Sequence, residues 1–210
     1  MNRPLRVMLV AVEASADTLG AGLARALKAR LGDAVEFVGV GGARMAAEGI
    51  ESPYNIADLS LVGLFEMAGA VPLALRRIEE TVRLAEAEKP DIAVLIDSWG
   101  FMWRVGRRLR IRAPDVALIK YVAPQVWATR PGRAKVLART FDRLMTLFDF
   151  ESRYFEAEGI PTTCVGNPAL GRDFSNADPD RLRAAIGAGP DDPILLVLPG
   201  SRREIGRAHV

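Results

Sequence analysis

The stretch LRVMLVAVEASADTLGAGLARALKARL, Leu5 to Leu31, decides how the rest of the chain is read. Leu5 to Val12 is nearly unbroken aliphatic, the pattern of a parallel strand covered on both faces. A short polar elbow follows, with Ser15 and Asp17 as capping residues for a helix. Leu19, Leu23, Ala26, Leu27 and Leu31 then recur at helical spacing and form one apolar stripe. Strand, turn and helix together hold Glu13, Ser15 and Asp17 at the strand's carboxyl end, where open α/β sheets bind ligands. Capping alone accounts for Ser15 and Asp17 equally well.

The same grammar repeats outward. Val35 to Val40 reads as a second strand, followed by Gly41 and Gly42. A dinucleotide fingerprint needs its glycines directly after the first strand, where this chain has Val12, Ala14 and Ala16, so the later glycines make a tight turn. There is no Walker sequence. Further buried-type strands run over Ile92–Ile96, Val116–Val122, Leu144–Phe148 and Thr162–Val165, the last ending in Gly166-Asn167-Pro168. Helical stretches separate them, one closing over Arg83–Lys89 and another spanning Phe150–Glu158. A succession of βα units predicts an α/β fold with a doubly wound parallel sheet.

Asp97 stands at the carboxyl tip of a central strand, within reach of a substrate hydroxyl. An aspartate that only caps the next helix is the plainer alternative. That helix carries Arg104, Arg107, Arg108 and Arg110 as a solvated basic face. After Val122 the loop APQVWATRPGRAKV joins Gln125, Trp127 and Arg130 (an amide, an aromatic plate and a guanidinium), a mixture suited to a sugar or nucleotide. Leu59 to Ile78, LSLVGLFEMAGAVPLALRRI, has too many large apolar residues for one stripe, and Pro72 divides it into two helices. It is either a buried core helix or an exposed apolar patch that meets lipid beside Arg76 and Arg77.

Composition shifts near residue 170. Gly171–Ala177 is loop-like, Pro179–Ile186 a short helix, and Gly187–Pro193 rich in Gly, Pro and Asp. The expected organisation is a first domain over 1–170, a linker over 171–193, and residues 194–210 as the first strand (Ile194–Leu198) and loop of a second domain. The loop Pro199-Gly200-Ser201-Arg202 makes a good anion cradle.

Totals narrow the chemistry. With 210 residues, 50% hydrophobic and 26% charged, the chain suits a soluble globular protein with a sizeable core. A net charge of +2 is mild for nucleic-acid binding, and none is expected. Cys164 is the single cysteine and His209 the single histidine, which excludes an internal disulfide, Ser-His-Asp and Cys-His catalysis within this chain, and most zinc sites. No metal and no cofactor are expected, and no apolar run is long enough to span a bilayer.

Together these residues resemble bacterial lipid-A-disaccharide synthases, GT-B glycosyltransferases of family 19, over nearly the whole chain to about Arg203. The resemblance rests on five ordered motifs: VEASADTLGAG (Val12–Gly22), FVGVGGARMAAEG (Phe37–Gly49), YVAPQVWATRPGRA (Tyr121–Ala134), VGNP (Val165–Pro168) and LPGSR (Leu198–Arg202). It implies two Rossmann-like domains facing across a cleft, with only the first strand and loop of the second present here. It also implies transfer of the sugar of UDP-2,3-diacylglucosamine to 2,3-diacylglucosamine 1-phosphate (lipid X), giving lipid A disaccharide 1-phosphate and UDP. The implied location is peripheral, on the inner face of the cytoplasmic membrane, with Leu64, Met67, Val71 and Leu75 in contact with lipid. Asp97 matches the family's candidate general base. Gly200, Ser201 and Arg202 match the loop that holds the UDP diphosphate. Glu13, Ser15, Asp17, Gln125, Trp127 and Asn167 match substrate-binding positions lining the cleft.

The chain departs from the family's usual pattern at several points. Val12 and Ala16 replace glycines, Ser98-Trp99-Gly100-Phe101 removes a second acidic residue near the base, Thr129 replaces a tryptophan, and Asn167 replaces a histidine. Residues 204–210 fit neither a helix stripe nor the family pattern and read like a translated sequencing adapter. Lacking most of the second domain, the fragment is expected to be inactive by itself. The paired-domain plan also permits another UDP-sugar transferase or a UDP-sugar epimerase, and the chain at face value permits a non-enzymatic lipid-binding module.

Overall fold

In the computed structural model the described residues are 3–60, 71–171 and 174–197. Leu64, Met67, Gly200, Ser201 and Arg202 lie outside them. The chain divides into two compact units, Met1–Pro168 and Ala169–Val210.

The first unit is built on six parallel strands: β1 (Leu5–Val10), β2 (Val35–Val40), β3 (Ile92–Ile96), β4 (Ala117–Tyr121), β5 (Arg143–Thr146) and β6 (Thr162–Cys164). Their order across the sheet is β2-β1-β3-β4-β5-β6. The chain goes from β1 to one side, then returns to build outward on the other, so the order reverses between β1 and β3. At such a switch point the two connections leave in opposite directions and open a crevice beyond the carboxyl ends of the strands. Among the described residues the helices are α1 (Ala14–Leu31), α2 (Ala43–Ala46), α3 (Ala57–Ser60), α4 (Val71–Glu88), α5 (Trp99–Arg112), α6 (Arg133–Ala138) and α7 (Asp149–Glu156), with α8 (Pro179–Ile186) in the second unit.

Both faces of the sheet are covered, as the unbroken apolar strands require. Along β1, Val7 and Leu9 pack with Ala21 and Ala24 of α1 and Met45 of α2. Met8 and Val10 point the other way, into a second core with Ile78 and Val82 of α4, Val105 and Leu109 of α5, and Phe155 of α7. Pro72 lies in the described part of α4, and the stretch before Val71, which the expected division at Pro72 concerns, is outside the described residues. Small residues set the tightest approach: a Cβ on Gly39 would fall 2.0 Å from the Leu9 carbonyl oxygen across the β1–β2 pair.

Two expectations are corrected. Ser15 and Asp17 do not cap α1: its N-cap is Glu13, with no side-chain capping bond. Asp17 is buried and serves a different element. Its carboxylate accepts the backbone N–H groups of Gly42, Arg44 and Met45 at 2.8, 3.0 and 3.1 Å, and so caps α2. A Cβ on Gly42 would lie 2.8 Å from the carboxylate, so this approach requires glycine there. The apolar run that opens at Ile194 is likewise no buried strand over its described part. Ile194 to Val197 adopt no regular structure, and Leu195 is 88% exposed. A parallel strand needs partners on its flanks for its N–H and C=O groups, and no described residue of the second unit forms one. The element that is regular there, α8, carries its own punctuation. Asp178 accepts the N–H groups of Asp180 and Arg181, and Gly187 ends the helix at φ 71°.

Candidate functional site

The carboxyl edge of β1, β3 and β4 carries a concentration of backbone strain. Asp97 and Ser98 follow β3 with φ 54° and 34°, and Val122 follows β4 with φ 71°. Left-handed conformations cost non-glycine residues of order 1–3 kcal/mol, most for a β-branched one, and persist only where surroundings enforce them. The enforcing group is Lys120. This residue of β4 is 1% exposed, and its ammonium donates to the carbonyls of Asp97 (2.7 Å), Tyr121 (2.9 Å) and Leu95 (3.3 Å). Three donors meet three acceptors, and two of the carbonyls lead directly into the strained residues Ser98 and Val122. Burial lowers the Lys120 ammonium from the usual lysine range to about 7, and the Asp97 carboxylate pulls it partly back up.

Across the switch point, the Ser98 hydroxyl donates to Glu13 Oε1 at 2.6 Å. This bond ties the ends of β1 and β3 together and leaves Asp97 half-buried beside them. Glu13 and Asp97 are thus brought into one elbow. Its supports, Ser98 and Lys120, escape a reading by motif. The available signal was a single lysine inside the apolar run VALIKYVA.

The remaining candidates spread along the same edge. Ser15 is exposed in the first turn of α1. Gln125 is exposed in the loop after β4, where its carbonyl accepts from Ala128 and Thr129 and rounds the turn. Trp127 stands beyond it, half exposed, edge-on to Phe150 at 5.5 Å; Phe150 in turn stacks on Phe148 at 5.8 Å. These rings make an aromatic ridge that the motif reading saw only at Trp127. Asn167 is half-buried in the loop after β6. Three strand spacings separate β6 from β3, roughly 14 Å, so the strand ends that carry Asn167 and Asp97 stand apart.

The basic face expected on α5 is only partly solvated. Arg104 donates to the Gly100 carbonyl at 2.7 Å, and Arg110 pairs with Asp142 and donates to the Thr140 carbonyl. Val71 and Leu75 of α4 are 39% and 43% exposed. Among the described residues no helix is long and apolar enough to cross a membrane, and no cluster of three or more His, Cys, Asp or Glu could hold a metal ion.

Comparison with known proteins supplies the chemical context. A family model described as lipid-A-disaccharide synthetase matches residues 7–209. The lipid-A-disaccharide synthase of Rhodospirillum centenum is 44% identical over 201 residues, covering 96% of this chain and 50% of the relative. That of Pseudomonas syringae pv. tomato is 40% identical over 208 residues, covering 99% and 54%. The chain therefore spans about half the length of the curated relatives it matches. Among solved structures, a UDP-GlcNAc 2-epimerase from Neisseria meningitidis bound to UDP-GlcNAc superposes with a TM-score of 0.58 at 10% identity, covering 87% of this chain and 53% of the other. The S. aureus MnaA–UDP structure gives 0.57 at 14%, covering 79% and 44%. At such identities the likeness is one of fold.

Proposed function

The chain belongs to the lipid-A-disaccharide synthase family, and on that premise we propose that it forms the acceptor side of a glycosyltransferase joining UDP-2,3-diacylglucosamine to lipid X. Asp97 is the general base. Its carboxylate takes the proton of the acceptor hydroxyl as the oxygen attacks the anomeric carbon of the donor. The glycosidic C–O bond forms, the bond from that carbon to the diphosphate breaks, and UDP departs with the electron pair. Glu13, through Ser98, and Lys120, through the Asp97 carbonyl, hold the base at the switch point. The single observation that carries this reading is Asp97 in a strained, braced elbow at the carboxyl edge of the sheet.

The other roles follow the same reading. Trp127, Gln125, Ser15 and Asn167 line the cleft, Asp17 supports it by capping α2, and Gly200, Ser201 and Arg202 grip the donor diphosphate. Residues 1–170 form the acceptor domain, 171–193 a linker and 194–210 the start of the donor domain. Leu64, Met67, Val71 and Leu75 rest on the inner face of the cytoplasmic membrane, a placement supported by the exposure of Val71 and Leu75. The test uses the full-length gene product and measures UDP release from the two lipid substrates. Turnover by the native protein that is nearly abolished in Asp97→Ala supports the assignment; unchanged turnover in that variant removes Asp97 from the chemistry.

A further inference from the structure

A cavity of about 450 Å³ opens where residues 71–78 of α4 and the first turn of α5 meet the loop entering α6. Pockets of this size accommodate small-molecule ligands. One part of its lining is aliphatic: Val71, Ala74, Leu75 and Ile78, two turns of α4 that span about 10 Å. The rest is Trp99, Trp103 and three arginines, 104, 130 and 133, together with Gly100. Among the described residues, none that lines it is acidic.

The polar half is built for an anion. Trp99 and Trp103 stack 6.4 Å apart, and the Arg133 guanidinium lies 5.4 Å from the centre of the Trp99 ring. Partial burial, with the neighbouring Arg130 charge, holds Arg133 below the ordinary arginine range. Two like charges held close, with no carboxylate among the described lining residues, are an electrostatic cost that an oxyanion would reverse, and guanidinium forks match phosphate oxygens in bidentate fashion. Trp103 lines the cavity with its ring, while its Nε1 is buried without a hydrogen-bond partner among the described residues. The positive end of the α5 dipole adds to the same field.

We propose that this cavity is the acceptor subsite, in which Arg130 and Arg133 bind the acceptor's phosphate while the α4 wall takes one of its acyl chains. The inference rests on the glycosyltransferase reading and deepens it. The acceptor fits better than the donor because Trp99 and Gly100 follow Asp97 and Ser98 directly, and a general base must stand beside the acceptor hydroxyl. A larger cavity of about 610 Å³, lined by Arg3, Asp91, Glu86 and Arg112 among others, lies at the opposite edge of the sheet. Its arginines are already paired, Arg3 with Asp91 and Arg112 with Glu86, which leaves it no comparable appetite for an anion.

The test compares full-length native protein with Arg130→Ala and Arg133→Ala, using UDP-2,3-diacylglucosamine as donor. Lipid X is the acceptor, and its dephosphorylated analogue is measured as a competing inhibitor. Native protein is expected to prefer the phosphorylated compound at least about tenfold, and each variant to lose most of that preference while the donor KM stays unchanged. Arg130 is exposed, so its variant does not threaten the fold. If the native protein turns over no lipid X, the glycosyltransferase reading itself falls. If it does, but the variants keep the phosphate preference, the subsite is overturned and the reading survives. Loss of binding to phosphatidylglycerol vesicles with an unmoved acceptor KM would turn these arginines toward the bilayer and equally overturn it.

Discussion

At Asp97 the backbone takes a conformation that a side chain with a Cβ normally avoids, and Ser98 repeats it. The pair is held by Lys120, which donates to the Asp97 carbonyl, and by Glu13, which accepts from the Ser98 hydroxyl. Asp97→Asn keeps the shape and removes the base, so kcat should fall by roughly 10²–10⁴, the range for general-base catalysis, with an unchanged thermal midpoint. Loss of the fold in that variant would show Asp97 to be structural. Lys120 has a signature of its own. Its folded pKa, about 7, lies below the free lysine value of 10.5, so between those values the unfolded chain binds the extra proton. Lys120 therefore favours the fold fully above 10.5, and that contribution is lost as pH falls to 7. The urea midpoint of native protein minus that of Lys120→Met should rise from pH 7 to 10; a flat difference would place the lysine charge elsewhere.

At the scale of elements, the structure separates what local pattern decides from what only tertiary packing decides. The strands over Val35–Val40 and Ile92–Ile96 have the same bounds in both, because an aliphatic run buried on two faces leaves little choice. Asp17 was legible as a cap but not as the cap of α2, since its partners lie 25 to 28 residues away. Lys120 was invisible to any motif, because what makes it matter is a set of carbonyls contributed by β3 and β4. The apolar character at Ile194 was plain, yet apolar character cannot form a strand without neighbours. Asp17→Ala tests the cross-element cap: three backbone N–H groups lose their acceptor, and orphaned buried groups cost about 1–3 kcal/mol each. A lower urea midpoint is expected, with Asp17→Asn intermediate. Equal midpoints for Asp17→Ala and native protein would mean that water satisfies α2 without it.

Over the whole molecule, charge fastens the periphery of the first unit. Hydrogen bonds from Arg112 hold the carboxyls of Glu79 and Glu86 below their usual range, as Arg77 does for Glu80 and Arg3 for Asp91. Depressed carboxylate pKa values give stability that is present above the ordinary values of 4.5 and 3.8 and lost as pH falls through the shifted ones. Urea midpoints should hold steady from pH 7 to 5 and drop below about 4.5; no drop by pH 3 would mean these pairs stabilise nothing. The buried amine under the elbow has one more consequence. Burial lowers the Lys120 pKa and so favours its unprotonated, nucleophilic form, yet Lys120 is 1% exposed and shielded from an acylating reagent in the folded chain. Each modification of Lys120 then records an unfolding event, local or global, that exposes it. Mass-spectrometric labelling rates that slow when substrates bind would turn this residue into a clock for the motion of its own site.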